Sequence, residues 1–223
     1  IQGTSKIAAI TPLGDATVIL VGDNTLTGGQ DAPGITSAAN KTLTIKGEGS
    51  LAASSSQYGA GIGAVRGQTC GNIVIESGTI NATGKSTGIG SVESSTCGDI
   101  TIKGGTVTAV CIGEKNSAGI GSGYCSANEP SVCGKITISG GTVTATGGSN
   151  GAGIGGGYAY TGSNTCGAIT ITNGVTKVTA TKGSGAPNSI GAGGVRGGSR
   201  TCGTVTINGV EGAISTSPYT YQP

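Results

Sequence analysis

The side chains able to do chemistry are few and of restricted kinds: seven cysteines, ten carboxylates, twelve lysines and arginines, six tyrosines, and no His, Met, Trp or Phe. Nucleophilic catalysis of the Ser-His-Asp or Cys-His type needs an imidazole, so those classes are excluded. A carboxylate pair, or a calcium-held substrate with a Lys or Arg base, would not need one. The acidic residues do not gather for such work. Asp15, Asp23, Asp31 and Asp99 fall at different repeat positions, and Glu93, Glu114 and Glu129 lie in loops, where a solvated carboxylate is expected. The expectation is a protein that is not an enzyme and uses no cofactor.

Five of the cysteines, Cys70, Cys97, Cys133, Cys166 and Cys202, each precede a glycine, and equivalent positions in repeated segments predict a stacked ladder. In-register parallel side chains hold Cβ atoms near the strand spacing, wider than the ~3.8 Å of a relaxed disulfide, so mostly reduced, buried thiols acting as small hydrophobes are expected. Cys111 and Cys125 stand outside the ladder, flanking a Gly-Ile-Gly segment, and are the expected disulfide in an oxidising compartment. With no His and no close paired-cysteine spacing, no metal site is expected.

These residues recur because the chain itself repeats. Residues 72–98, 99–134, 135–167 and 168–203 are four copies of one pattern, and 41–71 make a fifth. Each reads apolar-Thr-Ile, a Gly turn, Thr-Val-Thr-Ala, a Gly/Ser stretch, Gly-Ile-Gly, a variable loop and Cys-Gly, which predicts three short strands per copy. Ile35, Ile62, Ile89, Ile120, Ile154 and Ile190 recur at 27, 27, 31, 34 and 36 residues. Insertions therefore fall in loops, as a solenoid tolerates. Alternation turns Ile100 and Ile102 inward and Thr101 outward; in Thr106-Val107-Thr108 the valine goes in and the threonines out.

Stacking such strands about 4.8 Å apart builds inner columns such as Leu43, Ile73, Ile100, Ile136, Ile169 and Val205. The predicted fold is all-β: a single-stranded, right-handed parallel β-helix of six to seven coils of 27–36 residues, handed by the usual crossover preference. It is expected to form a single domain, with 1–14 as an N-terminal cap, 15–216 as coils and 217–223 as a C-terminal cap or tail.

Composition narrows the partners. A net charge of +2 with 10% charged residues supplies no basic patch for nucleic acid. No stretch approaches the ~20 apolar residues of a membrane-spanning helix, and Ile1 opens a polar segment, which reads as either a processed start or an excised piece. The glycine run at 151–157 resembles a phosphate-cradling loop, but it recurs in every coil with no helix after it, so neither P-loop nor dinucleotide binding follows.

Counting four residues on from the repeat isoleucines reaches Arg66, Glu93, Tyr124 and Tyr158, a row at the start of the variable loops. Tyr160, Arg196 and Arg200 share that loop class, so three of six tyrosines and all three arginines gather on one predicted ridge. Aromatic rings beside hydrogen-bonding groups suit sugar rings, which stack through C–H faces and bond at their rims. Packing of the tyrosines over loop backbone is the plainer alternative. A second outward face carries Thr-x-Thr ranks of the kind that order water in ice binders, but Ser50-Leu51-Ala52, Thr79-Ile80-Asn81 and Lys177-Val178-Thr179 break the rank.

The segments Asp23-Asn24-Thr25-Leu26-Thr27-Gly28 and Leu43-Thr44-Ile45-Lys46-Gly47-Glu48-Gly49-Ser50-Leu51, with repeated Gly-Ile-Gly and Ile-Thr-Ile-x-Gly-Gly-Thr-Val-Thr-Ala, resemble Gly/Thr-rich β-helix modules of bacterial surface proteins, carbohydrate-binding or adhesin-like. The resemblance spans about residues 15–210. It implies an extracellular or surface-attached, non-catalytic module. Acidic-polysaccharide-binding members often place calcium-binding aspartates before the Gly-Ile step. Here Ala60-Gly61, Thr87-Gly88, Ala118-Gly119 and Ala152-Gly153 stand there, so neither calcium nor a pectin-like ligand carries over.

The expected partner is therefore a polysaccharide, or a host-surface glycan or protein, bound through Arg66, Glu93, Tyr124, Tyr158, Tyr160 and Arg196. The rival expectation is a structural stalk or fibre subunit, either monomeric or stacking end to end.

Overall fold

The computed structural model describes residues 8–113, 116–126 and 129–223, and these form strands, turns and bends with no helix. The strands sort into four sheets, each collecting one repeat position from successive copies. The first sheet lays Ala16–Leu20, Thr42–Gly47, Asn72–Ile75, Ile100–Ile102, Ile136–Ile138, Ile169–Ile171 and Val205–Ile207 side by side, all parallel. The second does the same with Asp23–Gly28, Ser50–Ser55, Thr79–Gly84, Thr106–Cys111, Gly141–Thr146 and Val175–Thr181. The chain is an all-β parallel β-helix, as its periodicity predicts.

Leu43, Ile73, Ile100, Ile136, Ile169 and Val205 are successive register partners, and none is more than 4% exposed. Ile45, Ile75, Ile102, Ile138, Ile171 and Ile207 form a second such column. Period-two alternation puts both columns inside, and burying each aliphatic stabilises the fold by about 1.5–3 kcal/mol. One hydrophobic cluster runs from Leu20 to Ile207. The strand-edge groups bond to the next rung, so the second sheet hides Leu26, Leu51, Ile80, Val107, Val143 and Val178 while its threonines stay outside.

The structure adds a strand that the sequence pattern does not predict. The Cys-Gly position itself is extended: Thr96–Cys97, Ser131–Cys133, Ser163–Cys166 and Ser199–Cys202 form a fourth parallel sheet. Its residues are polar and of irregular length, so no alternation announces it; the pairing of each copy to its neighbour imposes the conformation.

The cysteine pairing also differs from expectation. Cys70 and Cys97 are joined in a disulfide across adjacent rungs, with Cα atoms 4.7 Å apart. Cys70 follows the isolated Thr69–Thr96 bridge and continues its ladder, Cys70 N donating to Thr96 O at 2.8 Å and Gly98 N to Cys70 O at 3.2 Å, so adjacent cysteines of this column bridge from ladder spacing, contrary to the expectation from Cβ separation. Cys133, Cys166 and Cys202 keep their thiols. Cys111 and Cys125 are not bridged to each other: Cys111 ends a strand of the second sheet opposite Gly84, whereas Cys125 pairs with Ala159 in a separate column. Their thiols donate to backbone carbonyls, Cys111 to Lys85 and Gly113 and Cys125 to Glu129.

The C-terminal end is closed by a change of strand direction. Val210–Glu211 runs antiparallel to Val205–Ile207, Tyr219–Tyr221 antiparallel to Val175–Thr181, and Ile214 bridges Ile190. At the other end Leu13, Ile19 and Val21 are exposed. The N-terminal cap expected over 1–14 falls partly outside the described residues.

Candidate functional site

Four Gly-Ile-Gly steps and the Ser189-Ile190-Gly191 step of the last copy form the remaining sheet, Ile62–Gly63, Ile89–Gly90, Ile120–Gly121, Ile154–Gly155 and Ile190–Gly191. Here glycine is a steric requirement. Gly121 has φ +134°, and a Cβ on it would lie 2.0 Å from the carbonyl oxygen of Gly155 in the next rung. The chain then doubles back: Ala118 N donates to Ser122 O at 3.1 Å, Ala152 N to Gly156 O at 2.9 Å, and Thr87 Oγ1 to Ser91 O at 2.6 Å. Residues before and after each step consequently meet on one ridge. Tyr158 N donates to Asn116 O at 2.7 Å, and Arg66 N to Asp31 O at 2.9 Å.

The structure brings the predicted row together in two linked groups. Tyr124 and Tyr158, on adjacent rungs, stack with ring centroids 6.2 Å apart and planes within 10°. Tyr160 tilts against Tyr158 at 6.3 Å, and Arg196 lies over Tyr160 at 4.9 Å while its Nη1 donates to the phenol oxygen at 2.8 Å. The second group is ionic. Arg66 Nη2 meets Glu93 Oε2 at 2.8 Å, Arg66 Nη1 stands 3.9 Å from Asp31, and Ser126 Oγ donates to Glu93. Burial and then the neighbouring Glu93 charge hold the Tyr124 phenol above its ordinary range, so it stays a neutral donor.

Position along the ridge separates the roles. Tyr124, Tyr158 and Tyr160 are half-buried, and Arg196 is exposed. Glu93 is only 7% exposed and lies beneath the surface, where it orients Arg66. Arg200 turns back to donate to Gly193 O at 2.6 Å and so holds its own loop. Glu114 falls outside the described residues.

An open cleft of about 700 Å³ begins at Tyr124 and extends to Tyr58, with Ser56, Gln57, Lys85, Ile112, Gly113 and Asn116 around it. Ile112 is an exposed apolar contact at 57%, and the guanidinium of Arg66 lies 5.5 Å from the Tyr58 ring centre. Counting forward from the isoleucines misses Tyr58, Lys85 and Asn116, because they precede the Gly-Ile-Gly step. Their one sequence signal is a polar, variable stretch at the same point of three copies. The cleft offers two aromatic faces, an ammonium group and amide donors and acceptors, within the size range of small-molecule sites.

Three aspartates have structural partners. Asp15 Oδ1 accepts from Thr42 N, Asp99 Oδ1 from Lys135 N, and Asp23 Oδ1 from Ser50 Oγ. Each ties one rung to the next. Among the described residues no group of three His, Cys, Asp or Glu side chains is placed to hold a metal ion.

The chain matches a family model described as Beta helix repeat. The matches cover residues 43–67, 100–124 and 136–158. Each begins at an inner-column aliphatic, Leu43, Ile100 or Ile136, and each ends at or one residue past a ridge side chain, Arg66, Tyr124 or Tyr158. Each matched segment thus runs from core column to ridge, and the cysteine strand lies beyond it. Comparison with curated proteins and with solved structures finds no match. Among the described residues, no helix is long and apolar enough to cross a membrane.

Proposed function

We propose that this β-helix is a non-catalytic, extracellular surface module that binds glycan through the tyrosine ridge and the cleft beside it. The observation that carries the reading is the pair of near-parallel rings, Tyr124 and Tyr158, presented from neighbouring rungs at the mouth of a cleft that ends at a third ring, Tyr58. Flat rings in a row, edged by Asn116, Gln57 and Lys85, match the alternation of C–H faces and hydroxyls on a saccharide chain. The non-catalytic reading is supported by Asp15 and Asp99, which cap backbone amides, and by Glu93 and Asp31, which stand against Arg66.

The Thr-rich face supports ice binding poorly. Its central outward column reads Thr25, Ala52, Asn81, Thr108, Thr144 and Thr179, so two of the first three ranks lack threonine. A head-to-tail fibre meets a physical obstacle as well, since antiparallel strands occupy the last-rung edges that a second copy would use.

A glycan array followed by isothermal titration calorimetry tests the proposal. Tyr124→Ala and Tyr158→Ala are each expected to weaken binding at least about tenfold, equivalent to about 1.4 kcal/mol. Unchanged affinity in both variants, or an array without a ligand, overturns the ridge assignment.

A further inference from the structure

Three thiols of the cysteine column are stacked in one register beyond the existing bridge. Cys133 pairs with Cys97 on one side and Cys166 on the other, and Cys166 pairs with Cys202. Cys70 and Cys97 show that this column accepts a rung-to-rung disulfide. The three thiols differ in access: Cys133 and Cys166 are each 1% exposed, whereas Cys202 ends the column and lines a cleft of about 460 Å³ together with Gly203, Thr204, Glu211 and Ala213. Cys202 Sγ donates to Gly167 O at 3.8 Å, and the neighbouring Cys166 thiol shifts the Cys202 pKa down while its own is shifted up. Burial pushes Cys133 far above the ordinary thiol range.

We propose that Cys202 is a modification site for small soluble disulfides and that Cys166 resolves the adduct, closing a second rung-to-rung bridge, Cys166–Cys202. In the first step the Cys202 thiolate attacks one sulfur of the reagent; a mixed disulfide forms, the reagent's S–S bond breaks and one thiolate leaves. In the second, Cys166 gives its proton to solvent and attacks the Cys202 sulfur. The protein disulfide forms and the second reagent thiolate departs and is protonated. Two protein thiols are oxidised and one disulfide reagent is reduced to two thiols. Five column cysteines then hold two bridges, and the odd thiol is Cys133, which burial keeps protonated. Among the described residues, Glu211 is the charged residue lining the cleft, which suits a cationic disulfide such as cystamine.

The experiment treats the native protein with cystamine, blocks remaining thiols with N-ethylmaleimide, unfolds it and maps the non-reduced tryptic peptides. Cleavage after Lys115, Lys135, Lys177 and Arg200 leaves Cys166 on residues 136–177 and Cys202 on 201–223, both separate from 116–135, which carries Cys125 and Cys133 and is resolved by fragmentation between them. The expected product is a 136–177 to 201–223 cross-link that forms faster than any link to 116–135. Cys166→Ser is expected to trap cysteamine on Cys202, and Cys202→Ser to leave Cys166 unmodified. A persistent Cys202 adduct in the wild type, a Cys133–Cys166 link, or Cys202 labelling no faster than the buried Cys111 would overturn the proposal.

Discussion

At the second glycine of each Gly-Ile-Gly step there is no room for a methyl group. Gly121→Ala drives a Cβ into the Gly155 carbonyl at a positive φ, and is expected to destabilise by more than about 3 kcal/mol in urea unfolding. Gly67→Ala, at φ +75° with nothing within 4 Å of the added Cβ, is expected to cost only about 1–2 kcal/mol. The thiols supply a pH dependence at the same scale. Burial raises Cys133 in the folded state, so above the ordinary thiol pKa of about 8.5 the unfolded chain has lost a proton that the native chain retains. The stability contributed by that group is present below this pH and is lost as pH rises. The urea midpoint of the wild type should fall more steeply between about pH 8 and 10 than that of Cys133→Ala, and equal slopes would contradict it.

Among the elements, the Ile-Thr-Ile strands are joined by side chains as well as by their ladders. Asn72 Oδ1 accepts from Asp99 N at 2.9 Å, and Asp99 Oδ1 in turn accepts from Lys135 N at 2.8 Å, so each strand start is capped from the rung before it. Asp99→Ala is expected to cost about 0.5–1.5 kcal/mol, while Asp99→Asn retains an acceptor and should stay nearer the wild type. Thermal unfolding of the two variants distinguishes this from a merely solvated carboxylate. The strands with strong alternation, Ile100–Ile102 and Thr106–Cys111, were legible in the sequence with their facing. Ser131–Cys133 and Ser163–Cys166 were not, because their extended form comes from pairing across rungs and not from an apolar period.

For the whole molecule, the exposed edges matter most. Tyr219–Tyr221 covers the last strand of the second sheet, with its rings packed on the core cluster. Deleting residues 217–223 should bare the Val175–Thr181 edge and produce concentration-dependent association in light scattering. A truncated protein that stays monomeric would show that the remaining strands already protect the end. The same closure explains why the intact chain is expected to remain monomeric at high concentration.

Periodicity alone determined the rungs, the inward columns and the ridge row, because stacking equivalent residues follows directly from a repeated strand pattern. Arg66, Tyr124 and Tyr158 could therefore be aligned before any coordinates. Tertiary structure decided what the pattern does not encode. It brought Tyr58, Lys85 and Asn116 to the ridge by doubling the chain back at each Gly-Ile-Gly step, sank Glu93 beneath Arg66, and paired Cys70 with Cys97 while leaving Cys111 and Cys125 in different columns. Those outcomes depend on distances between segments on either side of a turn, and a linear count from a motif residue carries no such distance.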